Sequence, residues 1–225
     1  MDRHFDEELS LLKKDILKMG DIVHQMVGET INALINRDIK ILDPILQNET
    51  IVDKMQIDID EHCLKLIALH QPTAIDLRFL MGVAKINTEL ERIGDQSINI
   101  CHKIIHILKY PPVKPYIDMP KMVEITRGMF NDSLHAFIDL DVDKAKSVLA
   151  CDDLVDKLRD NIINELMNFM CGDSSIVQVA LSLILVANSL EKIADHATNI
   201  AEVVIFVAQG KDIRHQSEKN IFSST

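Results

Sequence analysis

A ten-residue motif occurs twice in the chain, and its two copies lie 100 positions apart. The first copy is ERIGDQSINI at residues 91–100, and the second is EKIADHATNI at residues 191–200. Glu, Ile, Asp, Asn and Ile recur in place, and the Arg/Lys and Gly/Ala differences are conservative. Such internal similarity indicates that a larger structural unit has been duplicated, so both halves are expected to share one fold.

Apolar residues in the first half follow a helical period. Near the N-terminus they are spaced alternately by four and three positions: Phe5, Leu9, Leu12, Ile16, Met19, Val23 and Met26. This heptad spacing predicts a long first helix that ends near residues 36–38. A second helix is expected from about Pro44 to His70. A third is expected to run to about Lys109, from a capping box formed by Thr73 and Asp76.

Four of the six prolines lie in residues 111–120, and no helix is expected to cross this linker. Beyond it the pattern restarts and predicts helices over about residues 121–139, 142–171 and 175–209, followed by a polar tail at 211–225. The chain is therefore predicted to be all-α, with six long helices in two tandem, internally duplicated three-helix bundles. Those bundles are expected to span residues 1–110 and 121–210.

Composition narrows the classes of function. Glycine and proline are scarce, at 7 and 6 residues, which disfavours an all-β fold. The net charge of −11 argues against binding to nucleic acid and against direct adsorption to anionic lipid.

The four cysteines form no CxxC pair, and the polar N-terminus is unlike a signal peptide, as expected of a reduced cytosolic protein. The apolar segment 176–187 is expected to be a buried helix, too short to insert into a membrane.

Acidic residues spaced four apart occur inside both motif copies, as Glu91 with Asp95 and Glu191 with Asp195. Residues at this spacing share a helix face, where like charges destabilise the helix by roughly 0.2–0.5 kcal/mol. With 35 acidic residues in the chain, several such pairs arise by chance. Their number therefore carries no weight, and their positions have to be considered.

The positions of these pairs suggest that they meet. If helices two and three are antiparallel with a turn near Pro72, residue 93 lies opposite residue 51, between Glu49 and Asp53. A turn near Asp173 places the second motif opposite a similar pair in the same way. Each half is thus expected to bring four carboxylates to one level: Glu49, Asp53, Glu91 and Asp95 in the first half, and Asp152, Asp156, Glu191 and Asp195 in the second.

Four carboxylates at one level repel each other unless protons or a cation compensate them. Oxygen ligands favour hard cations, namely Mg, Mn, Ca or oxidised iron, and zinc is less favoured without thiolate or imidazole ligands. Spacing alone leaves a second interpretation open, in which these are solvated helix faces. Asn99 and Asn199 could serve as ligands, as hydrogen-bond donors to the ligands, or as hydrogen-bonding groups between helices.

The two motif copies, together with QPTAIDLR at residues 71–78, resemble the signature sequences of the PhoU family of bacterial phosphate-uptake regulators. The resemblance extends from about Phe5 to about Arg214. Lys192 and Ala194 stand where Arg and Gly are commoner in the family. The resemblance implies two three-helix bundles, frequent homodimers, and a cytoplasmic location with association to the inner membrane only through partners.

The same resemblance implies a function and a cofactor. Family members bind metal clusters, most often iron, and the eight acidic residues named above match their acidic motifs. The family represses the phosphate-starvation response by linking the ATPase and permease subunits of the phosphate ABC transporter to a membrane sensor histidine kinase. The resemblance thus implies a metal-binding regulator that is not an enzyme.

Two other classes of protein are also built as helical bundles. A metal-free helical scaffold or adapter fits the same bundles. A di-iron oxidase would need Glu-x-x-His pairs, and no Glu in the chain has His three positions later. The sequence also contains no phosphate-binding glycine loop and no nucleophile elbow.

Overall fold

Six long helices make up the chain in a computed structural model that describes residues 3–113 and 116–213. They are α1 (Arg3–Asn36), α2 (Asp43–His70), α3 (Ala74–Ile107), α4 (Asp118–Asp139), α5 (Val142–Gly172) and α6 (Val177–Gln209). Short 3-10 turns at Ile39–Leu42 and Ser174–Ile176 precede α2 and α6. There is no strand among the described residues, and the predicted all-α fold is confirmed.

One predicted helix start and one predicted helix cap need correction. Helix α4 begins at Asp118 rather than at Lys121, because Pro120 is accommodated in the first turn, where its missing N–H costs no helical hydrogen bond. The linker is therefore shorter than residues 111–120. At α3, the Thr73 side chain makes no capping hydrogen bond, so the expected capping box is not formed. The predicted tail lies outside the described residues from residue 214 onward.

The duplication seen in the sequence is also visible in the structure. Helices α1, α2 and α3 correspond in order and length to α4, α5 and α6, apart from the shorter α4. Residues 81–100 of α3 and 181–200 of α6 follow the same order of buried, half-buried and exposed positions. They differ only at Lys85 and Leu185 and at Ile98 and Thr198. The 100-position offset is therefore a structural equivalence.

The two bundles share one hydrophobic core. Helix α3 packs along α6, α1 packs against α4, and the buried apolar residues of both halves form a single cluster. Gly82 of α3 lies where a Cβ would be only 2.7 Å from Val207 Cγ2 of α6, so the two helices approach closely there. Among the described residues, helices α2 and α5 each pack only within their own bundle and its adjoining 3-10 turn.

The apolar part of helix α6 extends beyond residues 176–187. Ser174–Gln209 contains an 18-residue window of mean hydropathy 1.6, so by length and composition it could cross a membrane. The expectation that this segment is too short is therefore corrected. In the structure 44% of that window is buried, and Leu183, Leu190 and Ile193 contribute to the shared core. A buried core helix passes the same test of length and composition.

Candidate functional site

Acidic residues of α5 and α6 meet around Arg159. Its Nη1 donates a hydrogen bond of 2.6 Å to Glu191 Oε1 on α6 and lies 2.9 Å from Asp156 Oδ1 on α5. Its Nη2 lies 3.0 Å from Asp160 Oδ1. One guanidinium thus links the two helices. Sequence reasoning missed this internal counterion, although its i,i+3 spacing from Asp156 could have revealed it.

Asp152 and Asp195 complete this set, and neither forms an ion pair in the part of the chain that the structure describes. Burial raises the pKa of Asp152, and the charges of Asp156 and Glu191 raise it further. Burial, followed by the charges of Glu191 and Asp152, raises the pKa of Asp195 to about 6. We call Asp152, Asp156, Glu191 and Asp195 the second acidic face. It remains electronegative despite Arg159.

The first acidic face consists of Glu49, Asp53, Glu91 and Asp95. Burial raises the pKa of Glu91, and the charges of Asp95 and then Asp53 add to that effect. The charge of Glu49 is not among those that shift the pKa of Glu91. It adds instead to the effect of burial in raising the pKa of the Cys101 thiol, further along α3. The structure therefore brings Asp53 close to the Glu91–Asp95 pair and sets Glu49 towards the far end of the face.

The two faces differ in their counterions. Arg159 lies three positions after Asp156, and the residue three positions after Asp53 is the neutral Gln56. The backbone carbonyl of Gln56 accepts a hydrogen bond of 2.8 Å from Asn87 Nδ2. The first face thus has no cation in the place that Arg159 takes in the second.

The donor chemistry of both faces fits a hard cation, since every predicted ligand supplies carboxylate oxygen. The side chains are not preassembled, because no group of three or more His, Cys, Asp or Glu residues within the described ranges is arranged to hold a metal. A metal would have to draw the carboxylates inward. In the second face it would also compete with Arg159 for Asp156 and Glu191.

Asp195→Asn is expected to reduce the stability that the metal-free protein gains when the pH falls from about 7 to about 5. The folded-state pKa of about 6 lies above the ordinary aspartate pKa of 3.8. The folded state therefore binds more protons in this window, and its stability falls as the pH rises through it. Solvent screening limits the effect to below about 1 kcal/mol. Denaturant unfolding of the wild-type protein and the Asp195→Asn variant at pH 7 and pH 5 measures the free energy of unfolding. An equal gain in stability in the two proteins would contradict the prediction.

The second motif also forms a polar contact between the halves. Glu89 on α3 accepts hydrogen bonds from His196 Nδ1 at 2.7 Å and from Asn199 Nδ2 at 3.1 Å. Burial raises the pKa of Glu89, but these hydrogen bonds outweigh it and the net pKa is lowered. Asn199 therefore takes the helix–helix role that the sequence had left open. Asn99, in contrast, forms no side-chain hydrogen bond with the described residues.

Sequence reasoning missed Glu89 and His196 as interacting residues. No local pattern joins them, since they lie on different helices and 107 positions apart. The only available signal was the duplication, which makes α3 and α6 equivalent helices that could pack together.

Comparison with known proteins places this fold in one family. The PhoU domain model matches residues 16–104 and 119–204, one match in each half. The phosphate-specific transport system accessory protein PhoU homolog of Aquifex aeolicus (strain VF5) is 37% identical over 213 residues, covering 95% of this chain and 96% of that protein. The accessory protein PhoU of Escherichia coli (strain K12) is 32% identical over 211 residues, covering 94% and 88%.

Solved structures agree with the sequence matches. The crystal structure of PhoU from Pseudomonas aeruginosa is similar with a TM-score of 0.88 and 32% identity, covering 92% of this chain and 100% of that one. The phosphate transport system regulatory protein PhoU from Streptococcus pneumoniae gives a TM-score of 0.85 at 25% identity, covering 92% and 98%. On these grounds, the chain belongs to the PhoU family.

Proposed function

We propose that this protein is a non-enzymatic accessory regulator of phosphate transport that represses the phosphate-starvation response. It acts in the cytoplasm by linking the ATPase and permease subunits of the phosphate ABC transporter to a membrane sensor histidine kinase. The observation that carries this proposal is the near full-length match to accessory proteins of the phosphate-specific transport system, at 32–37% identity.

The two buried cysteines are poorly suited to nucleophilic catalysis. Burial raises the pKa of the Cys63 and Cys101 thiols to about 12 in each case. Both therefore remain protonated at neutral pH, and a protonated thiol is a poor nucleophile.

The outer helices support a role in binding proteins. Helices α2 and α5 carry large apolar side chains that are exposed: Ile51, Ile57, Leu64 and Leu69 on α2, and Leu154, Met167 and Phe169 on α5. Within the part of the chain that the structure describes, these two helices pack only inside their own bundles, so their outer sides face away from the shared core. Such faces suit contact with the transporter and the kinase, and with a second copy of this chain in a homodimer.

Metal binding at the two acidic faces is the second part of the proposal. Burial, followed by the charges of neighbouring carboxylates, raises the pKa values of Glu91 in the first face and of Asp152 and Asp195 in the second, and a bound cation would relieve the repulsion within each face. The metal would supply positive charge and hold the helices of each bundle together, with iron as the metal that the family resemblance favours. A metal-free scaffold is the alternative, and metal analysis of protein purified without chelators separates the two.

Affinity purification from phosphate-replete cells tests the regulatory proposal. The tagged protein is expected to recover the transporter ATPase and the sensor kinase after crosslinking. A variant with Ile57→Asp and Leu64→Asp on exposed positions of α2 is expected to recover less of them while remaining folded. The proposal would be contradicted if the wild-type protein recovered neither the transporter ATPase nor the sensor kinase.

A further inference from the structure

Two clefts between α3 and α6 are related by the duplication. One is lined by Lys85, Thr88, Glu89, Arg92, Asn199, Glu202 and Val203 and has a volume of about 300 Å³. The other has a volume of about 450 Å³ and includes the residues equivalent to six of these: Leu185, Asn188, Ser189, Lys192, Asn99 and Lys103. We call them the filled cleft and the open cleft. They are two versions of one site within the same molecule.

The filled cleft contains its own anion. The Glu89 side chain is 14% exposed, and His196, which pairs with it, is 16% exposed. Asn199 donates a second hydrogen bond, and Arg92 lies 3.8 Å away. An amide, a ring nitrogen and a guanidinium thus surround one carboxylate that belongs to the protein itself.

The open cleft keeps most of these donors and lacks the carboxylate. Ser189 takes the place of Glu89, and Asn99, Gln96 and Lys192 take the places of Asn199, His196 and Arg92. None of these four residues makes a side-chain hydrogen bond or ion pair with any other described residue. The shorter serine leaves room, which agrees with the larger volume of this cleft.

The charge of the open cleft favours an anion. Lys103 replaces the apolar Val203 and the apolar Leu185 replaces Lys85, so the open cleft has Lys103 and Lys192 where the filled cleft has Lys85 and Arg92. Neither lysine forms an ion pair within residues 3–113 and 116–213. Arg159 and Glu191 also line the cleft and are paired at 2.6 Å, and Arg159 pairs with Asp156 and Asp160 as well. Two lysines without an ion-pair partner among the described residues therefore line this cleft, whose counterpart contains a carboxylate of the protein itself.

We propose that the open cleft binds a small tetrahedral dianion, either inorganic phosphate or the phosphate group of an ester. Lys103 and Lys192 supply the charge, and Ser189, Asn99 and Gln96 donate hydrogen bonds to the oxygens. The inference extends the proposed function by naming a ligand, but it rests only on the comparison of the two clefts. Failure of a binding assay on the purified protein would leave the regulatory proposal untouched.

Calorimetric titration of the full chain tests this site. Chelator is present so that metal at the acidic faces cannot capture the anion, and ionic strength is held constant with chloride. Orthophosphate and glycerol phosphate form separate arms, which distinguish free phosphate from an ester. Wild-type protein is expected to bind at least one of them at a single site per chain.

Three substitutions in the cleft and one control outside it locate the binding. Ser189→Glu restores the carboxylate of the filled cleft and is expected to abolish measurable binding, while Ser189→Ala weakens it only slightly. Lys192→Ala is expected to weaken binding about 10-fold through loss of a charge-assisted contact. Lys54→Ala, on an exposed position of α2, removes the same charge elsewhere and is expected to leave affinity unchanged.

Each outcome bears on the proposal. No binding of either anion by the wild-type protein would overturn it, and so would a Ser189→Glu variant that binds as tightly as the wild type. Equal losses in Lys192→Ala and Lys54→Ala would mean attraction to overall charge rather than a site. Circular dichroism melts identify variants that fail to fold, and Lys192→Ala keeps the test decisive because Lys192 is an exposed residue.

Discussion

Replacing both Asp152 and Asp195 with asparagine is expected to lower the affinity of the second acidic face for Mn²⁺ or Fe²⁺ by about 100-fold. These two carboxylates are the members of that face that Arg159 does not engage, so they are the ones available to a metal. Burial and then the charges of neighbouring carboxylates raise their pKa values, so the substitutions remove a partly buried charge and its repulsion. The metal-free variant should therefore be at least as stable as the wild type, which separates loss of metal from unfolding.

The matched control is Asp153→Asn, which removes one charge next to Asp152 from an exposed position of the same helix. Metal titration followed by isothermal calorimetry is expected to give nearly wild-type affinity for this variant. If the double variant binds metal as tightly as the control, the second acidic face is not a metal site, and the interpretation as a solvated helix face gains support.

Phe137→Ala is expected to destabilise the protein by about 3–5 kcal/mol and to lower the melting temperature by roughly 10 °C. Phe137 of α4 is fully buried and stacks on Phe79 of α3, with ring centroids 5.0 Å apart and planes 5° apart. The two rings belong to different bundles, so the truncation leaves a cavity in the core where the halves join. Thermal unfolding followed by circular dichroism measures the change.

Phe169→Ala serves as the comparison for this prediction. Phe169 lies on α5 and is 41% exposed, so its truncation is expected to cost less than about 1 kcal/mol. Similar melting temperatures for the two variants would contradict a shared core, because they would mean that the contact between the bundles contributes little to stability.

The helices could be predicted from the sequence because their signals are local. The heptad spacing that begins at Phe5 and the cluster of prolines before α4 fixed most boundaries to within a few residues. The duplication of residues 91–100 was visible as plain identity, and it predicted equivalent helices in both halves. Only the first turns of α3 and α4 were misjudged, where the cap at Thr73 and the tolerance for Pro120 depend on backbone geometry.

The site could be predicted only in part. Antiparallel pairing of neighbouring helices was enough to bring Asp53 near Glu91 and to bring Asp152 and Asp156 near the second motif. The role of Arg159 depends on its side-chain conformation, which spacing does not determine. Glu89 and His196 meet because α3 packs along α6, and no pattern within either half specifies how the halves pack together.

Deleting the gene and measuring a phosphate-starvation reporter in phosphate-rich medium tests the regulatory function most directly. Loss of the protein is expected to raise reporter expression to the level of starved cells, and the wild-type gene supplied in trans should restore repression. A reporter that stays repressed in the deletion strain would contradict the assignment as a negative regulator of the phosphate-starvation response.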